Sequence, residues 1–380
     1  MYLIVSPNAY STGNLTTLNR LKGHFIKKNI DVIAKSPNDF ISENNCSLCM
    51  LNKLVSEEKI KAVLLIHAYK SGRILLCICK IKQVPNFKYC VIYGGTDINV
   101  DINEPNKLKV MKMCVENCSF VWCFTQSLSQ SSSLSCKFSF IHPQAVDPSL
   151  YNNLQNQKVY TYTAPYIFLL LTSIRAVKDP SFLIESFIKM KYHLNYNLRL
   201  LIIGPKIDEK FFDNFIHAVK LAIKTGETCP EVNIRKYNSI KDCKMTLAEV
   251  ESWINDPEAP FIQYMPPLDS EAILLLMKSG KFYALLNSSI SEGMASSVLE
   301  GMAVGLPVVA RNIPGNSSVI KHEVNGLLFN TPEEFIDNAC KLISNKNFRT
   351  KIIGNAINTI REFHSPDKEA EFLFKHLKLL

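Results

Sequence analysis

Strand-like apolar runs alternate with helix-like stretches through both halves of the chain, which predicts an α/β protein built from two doubly wound parallel sheets. Two further observations agree with it. The length of 380 residues suits two domains, and a polar segment rich in Asn, Gln and Tyr, from Pro148 to Pro165, interrupts the alternation between them.

In the first half, Leu3 to Ser6, Asp31 to Ala34, Ala62 to Ile66, Tyr89 to Tyr93, Phe120 to Phe124 and Phe138 to Ile141 read as strands. Helical stretches such as Leu15 to Lys27 and Leu108 to Cys118 lie between them. In the second half, strands are expected at Tyr166 to Leu171, Leu198 to Ile203, Phe261 to Tyr264, Phe282 to Leu286 and Pro307 to Ala310. Scattered prolines and charges mark residues 227–260 as a surface insertion, with a short helix near Leu247 to Ile254. The tail reads as two helices broken at Ser365-Pro366, because proline favours a helix start and disfavours the turn before it. The expected division is a first domain over 1–150, a linker over 151–165, a second domain over 166–345, and C-terminal helices over 346–380 that pack back toward the first domain. Ligands of such sheets bind at the carboxyl ends of the strands, so the turns there, facing an expected cleft, are where chemistry is sought.

Composition narrows the functions. With 47% hydrophobic and 20% charged residues the chain is neither disordered nor fibrous, and it is long enough to bury two cores without disulfides or structural metals. A net charge of +9 favours anionic ligands, but the basic residues are dispersed, unlike the concentrated face of a nucleic-acid binder. No apolar stretch approaches the length of a membrane span, and Met1 to Pro7 lacks a basic leader, so a soluble, cytoplasmic protein is expected. Of the 12 cysteines only Cys46 and Cys49 form a CxxC, with no second pair to complete a zinc site. Sequons begin at Asn14, Asn45, Asn117, Asn287 and Asn316; Asn287 ends a run that reads as a buried strand, and these are taken as chance matches.

A GxxxxGK[ST] loop is missing, as is a GxGxxG after the first strand, so a phosphate would have to be held another way. Asp97 to Asp101 imitates the start of a calcium loop but has Ile102 and Leu108 where glycine and glutamate are needed. Gly94-Gly95-Thr96-Asp97 ends an apolar strand, where the glycines permit either close backbone approach to a ligand or a plain turn capped by Asp97. The sharpest signal runs from Asn287 to Ala303. It leaves a strand, turns at Glu292-Gly293 and enters a helix, so amides around Met294, Ala295, Ser296 and Ser297 form a candidate anion site. Glu292 and Glu300 beside it would accept hydrogen bonds from hydroxyls of a sugar or ribose.

Glu292 and Glu300 with seven residues between them, then Gly305-Leu306-Pro307-Val308-Val309-Ala310 and Gly326-Leu327-Leu328-Phe329, resemble the C-terminal domain of retaining GT-B glycosyltransferases, the large family that includes sucrose synthase and many bacterial mannosyltransferases. The resemblance spans roughly Tyr166 to Asn345 and implies two Rossmann-like domains facing a cleft. It implies a hexosyltransferase-like enzyme that moves a sugar from a nucleotide-diphosphate donor to an unknown acceptor with retention and without a metal or other cofactor. Under it, Arg175 and Lys178 grip the donor diphosphate, Glu300 the ribose, and Glu292 the sugar. The turn residues Gly293, Met294, Ala295, Ser296 and Ser297, together with Gly13 in the first domain, face the donor. His67 joins the catalytic group from the acceptor side, where Gly95 and Asp97 also lie. The family's aromatic and glycine after the first Glu-Gly stand here as Met294 and Ala295, and its later acidic residue as Ser318. A non-catalytic GT-B protein that binds a nucleotide sugar or serves as a scaffold is the alternative.

Overall fold

A computed structural model of the chain describes residues 1–7, 13–41, 46–76, 85–130, 134, 136–151, 165–224 and 245–380. The chain divides into two compact units. One comprises Met1–Ala145, Ser291–Ser296 and Phe363–Leu380, the other Val146–Ile290 and Ser297–Glu362.

The first unit contains, in chain order, β1 (Tyr2–Val5), α1 (Gly13–Lys27), β2 (Val32–Lys35), α2 (Ser47–Glu57), β3 (Val63–Ile66), β4 (Tyr89–Ile92), α3 (Thr96–Asn99), α4 (Pro105–Glu116), β5 (Phe120–Cys123), α5 (Gln126–Gln130) and β6 (Ser139–Ile141). Its strands form a parallel sheet in the order β2-β1-β3-β4-β5-β6. Side chains alternate across a strand, and the core obeys this. Leu3, Val5, Val63, Leu65, Val91 and Val121 meet the apolar sides of α2 and α4 on one face. Ile4, Leu64, Ile66, Ile92 and Trp122 meet α1 on the other. Both faces are thereby buried, which is why these strands lack polar alternation.

The second unit contains β7 (Tyr166–Leu171), α6 (Ile184–Tyr192), β8 (Leu198–Ile203), α7 (Glu209–Lys224), α8 (Leu247–Asn255), β9 (Ile262–Met265), α9 (Ser270–Lys278), β10 (Ala284–Asn287), α10 (Ser296–Ala303), β11 (Val308–Arg311), α11 (Pro314–Ser317), β12 (Leu327–Phe329), α12 (Pro332–Ser344) and α13 (Lys346–Phe363). Its parallel sheet runs β12-β11-β10-β7-β8-β9. Phe168, Phe187, Phe329 and Phe335 pack ring against ring in its core.

Three expectations need correction. The strand β12 is absent from the expected set, because three residues carry too little pattern to declare it. Residues 246–260 are integrated into the second unit, since Val250 and Trp253 are buried and Arg199 of β8 donates to the carbonyls of Asp256 and Pro257, both at 2.7 Å; residues 225–244 lie outside the described set. The tail divides as well. Up to Glu362, α13 belongs to the second unit, and only α14 (Pro366–Leu377) joins the first. Leu373 and Leu377 of α14 pack on the α1 face of the first sheet. There Glu369, fully buried, receives Arg20 Nε at 2.9 and 3.1 Å, His24 Nε2 at 2.7 Å and the Ala145 amide at 3.1 Å. Burial pushes the Glu369 carboxyl up, but Arg20 and His24 outweigh it and hold the group at about 2. Of the proposed linker, 152–164 lie outside the described residues. No helix among the described residues is long and apolar enough to cross a membrane.

Candidate active site

Strand order locates the turns that can hold a ligand. In a doubly wound sheet the chain reverses its direction of winding at one point, and the loops leaving the two strands there diverge and open a crevice. In the first sheet this point lies between β1 and β3, in the second between β7 and β10. The segment after β1 leads to Gly13, and β3 runs directly into His67. β7 leads to Arg175 and Lys178, and β10 to Glu292. Residues chosen from sequence thus follow all four strands at the two reversal points.

In the first unit the turn after β3 is built around Asp97. Its buried carboxylate accepts from the amides of Ala68 at 2.7 Å, Gly94 at 3.1 Å and Ile98 at 3.0 Å, which ties the end of β3 to the end of β4. His67 is held between them with φ at +77°, a conformation an L-residue adopts only when its surroundings enforce it. The ring is fully buried, and Nδ1 accepts the Lys70 amide at 3.2 Å, leaving the proton on Nε2, which lies 3.7 Å from Asp101 Oδ2. Burial is the main influence and pushes the His67 pKa below its ordinary value, with Lys70 assisting and Asp97 and Asp101 opposing. Lys107 in turn is hydrogen-bonded to Glu104 at 2.6 Å and to Asp101 at 2.9 Å.

Gly95 explains the paired glycines. Its φ is +97°, and a Cβ there would lie 2.5 Å from the Gly293 backbone, so two main chains meet where only hydrogen atoms fit. Asn99 Nδ2 donates to the Glu292 carbonyl at 3.1 Å and Gln144 Nε2 to the Met294 carbonyl at 2.7 Å, so Ser291–Ser296 is held as part of the first unit. Met294 packs against the α1 face of the sheet core, and Ala295 is buried. Gly13 begins α1 with open space around it, while residues 8–12 beside it are outside the described set.

In the second unit the cationic turn is fastened to the end of β10. The Lys178 amide donates to the Arg175 carbonyl at 3.0 Å, closing a short helical turn. The Ile290 amide donates to the Val177 carbonyl at 2.9 Å, and Ser288 Oγ to the Lys178 carbonyl at 3.0 Å. Asp179 follows with φ at +40° and receives Arg311 Nη1 at 2.9 Å. The Arg311 guanidinium also lies 4.2 Å from the centre of the Phe182 ring and donates to the Ser288 carbonyl at 3.4 Å. Asn316 Nδ2 bridges Asn287 Oδ1 and the Arg311 carbonyl, each at 3.0 Å. Both asparagines are buried, which agrees with reading their sequons as chance matches. Glu300 lies in the first turns of α10, with Ser297 near the helix start.

Sequence reasoning assigns no site role to Asp179, Asn287, Arg311 or Asn316. A signal was present: Asn287 and Arg311 are polar residues closing otherwise apolar buried strands, a placement hydrophobic burial does not explain.

These two sheets make a GT-B fold. Anabaena HepE, solved in complex with UDP-glucose, matches with a TM-score of 0.71 at 12% identity, covering 100% of this chain and 99% of that one. Sucrose-phosphate synthase from Thermosynechococcus elongatus matches at 0.69 and 12% identity over 99% of this chain and 98% of its own. Residues 261–359 match the family described as glycosyl transferases group 1. Glycosyltransferase 1 domain-containing protein 1 of Xenopus tropicalis is 30% identical over 371 residues, which are 95% of this chain and 92% of the relative. The chain belongs to the group 1 glycosyltransferases of the GT-B class.

Proposed function

We propose that this glycosyltransferase moves a sugar from a nucleotide-diphosphate sugar to a hydroxyl acceptor with retention of anomeric configuration and without a metal ion. The observation that carries the reading is the placement of Arg175, Lys178 and the Glu292 turn after the two strands at the reversal point of the second sheet. That HepE was solved with UDP-glucose supports the donor class.

In this reading Arg175 and Lys178 neutralise the diphosphate, a guanidinium fork and an ammonium each suiting phosphate oxygens. Glu300 accepts from ribose hydroxyls, and the amides from Gly293 to Ser297 assist the anion. Glu292 accepts from the sugar hydroxyls as positive charge grows at the anomeric carbon. The bond from that carbon to the phosphate oxygen breaks with its electron pair leaving on the diphosphate. The acceptor oxygen bonds to the same face, and its proton passes to the departing phosphate. Gly13 faces the donor, and His67, carrying its proton on Nε2, serves the acceptor side with Gly95 and Asp97. Arg311 acts as a positioning residue, holding Asp179 and with it the turn that presents Lys178.

A thermal-shift screen against UDP-, GDP- and ADP-sugars identifies the donor, since a ligand at about 100 times its dissociation constant stabilises by about 2.7 kcal/mol. Slow donor hydrolysis then separates an enzyme from a binding protein, and NMR of the released or transferred sugar reads its anomeric configuration. A product of inverted configuration would refute retention. Loss of turnover in EDTA, restored by magnesium or manganese, would refute metal independence.

A further inference from the structure

The register of the first sheet brings two thiols together. Val121 of β5 pairs with Ser139 of β6, and Cys118 and Cys136 each lie three residues before that pair, so parallel strands set them side by side. The Val121 amide donates to the Phe138 carbonyl at 2.9 Å, which continues the alignment beyond the strand. The two sulfur atoms are 3.6 Å apart and share a hydrogen bond. Cys118 is buried and Cys136 half-buried. We propose that Cys118 and Cys136 form an oxidation site at which a peroxide converts the two thiols into a disulfide.

Cys136 attacks first. Its thiol is lowered to about 7, chiefly by the hydrogen bond with Cys118, then by backbone groups of Phe138, Val121 and Lys137, while partial burial opposes. Thiolate reacts and thiol does not, so the half-buried Cys136, favoured toward thiolate by the neighbouring Cys118, is the sulfur that meets the peroxide. The surrounding thiols are poor competitors: burial pushes Cys90 and Cys114 up, and Cys123 to about 12. The Cys136 sulfur bonds to one peroxide oxygen as the O–O bond breaks, and the released hydroxide takes a proton to become water, leaving a sulfenic acid. The Cys118 sulfur then bonds to the oxidised sulfur as its S–O bond breaks, and that hydroxide leaves as water with the Cys118 proton. Two thiols and one hydrogen peroxide become a disulfide and two waters. Closing the bond requires the sulfurs to approach from 3.6 Å to about 2.05 Å, an adjustment within reach of side-chain rotation and a small shift of the turn.

The test uses the reduced full-length protein, free of reductant, exposed to graded hydrogen peroxide under native conditions, then alkylated and mapped by mass spectrometry. A peptide bridged through Cys118 and Cys136 should form at least about ten times faster than the thiol of Cys340 is lost. Cys118→Ser should leave Cys136 as a sulfenic acid trapped by dimedone, and Cys136→Ser should leave Cys118 unmodified. The same treatment in urea should scatter the bridges over other cysteines, which guards against a folding defect in either variant. Oxidation of wild-type Cys136 to sulfinic acid with Cys118 still a thiol would overturn the proposal. So would bridging of Cys136 to a different cysteine, or loss of the Cys136 thiol no faster than that of Cys340.

Discussion

Asp97 and Asp179 follow the ends of strands in different sheets, and each holds a turn that carries a candidate site residue, but by different physical means. Asp97 is buried and its carboxylate is satisfied by three backbone amides. Asp179 is about a quarter exposed and is satisfied by the guanidinium of Arg311. Amides at fixed positions in a dry interior give a rigid turn that tolerates no change of acceptor. A partly solvated ion pair gives a turn whose energy is modest and depends on salt. The first suits a turn holding a strained His67, and the second leaves the turn that carries Lys178 fastened by a partly solvated contact.

The largest effect should come from breaking the Asp97 turn at its glycine. Gly95→Ala adds a Cβ at positive φ against the Gly293 main chain, with no flexible side chain to yield, and should cost about 3 to 4 kcal/mol in urea unfolding. Gly13→Ala, with open space around it, should change stability by no more than about 0.5 kcal/mol.

Glu369 extends the contrast to a buried carboxylate paired with charge. Its folded value of about 2 lies below the unfolded value near 4.5, so its stabilisation is complete above pH 4.5 and disappears as pH falls toward 2. A loss of about 3 kcal/mol over that window is expected, and Glu369→Gln should flatten it. Equal acid sensitivity in the variant would show that the group is not responsible.

Asp97→Asn should cost about 2 kcal/mol, because the new amide NH2 must face a backbone N–H that now lacks an acceptor. On the proposed reading, affinity for a nucleoside diphosphate should survive it. Arg311→Ala should leave the fold intact and weaken binding of the preferred nucleoside diphosphate about five- to thirtyfold by calorimetry, with partial rescue in Arg311→Lys, which keeps the charge but not the fork. Unchanged affinity would remove Arg311 from the positioning of Lys178. A small effect is also expected of Asp179→Asn, about 0.2 to 1 kcal/mol, shrinking further at high salt.

Much of this architecture is legible in the chain itself. Strands buried on both faces are apolar at nearly every position, so the runs around Leu64, Val91, Val121, Leu201 and Leu285 declare themselves. The turns at Gly94-Gly95 and Glu292-Gly293 are visible because glycine and charge interrupt those runs. Less was readable where the pattern is short or where a packed segment is rich in proline and charge. The three residues of β12 and the burial of Trp253 under Arg199 fall in those classes.

The sequence by itself determined the fold class and marked the turns at Gly94-Gly95 and Glu292-Gly293, because hydrophobic periodicity and turn chemistry are local properties, whereas Gly13, His67, Arg175 and Lys178 are reached through the family resemblance. Only the tertiary structure decided which strands neighbour one another, and so that His67, Arg175, Lys178 and Glu292 follow strands at reversal points. It also decided that Gly95 meets Gly293, that Arg311 holds Asp179, that Glu369 anchors α14 and that Cys118 faces Cys136. Those pairings join residues separated by 18 to 349 positions, and what sets them is strand order, register and close packing of whole elements, which no window of sequence contains.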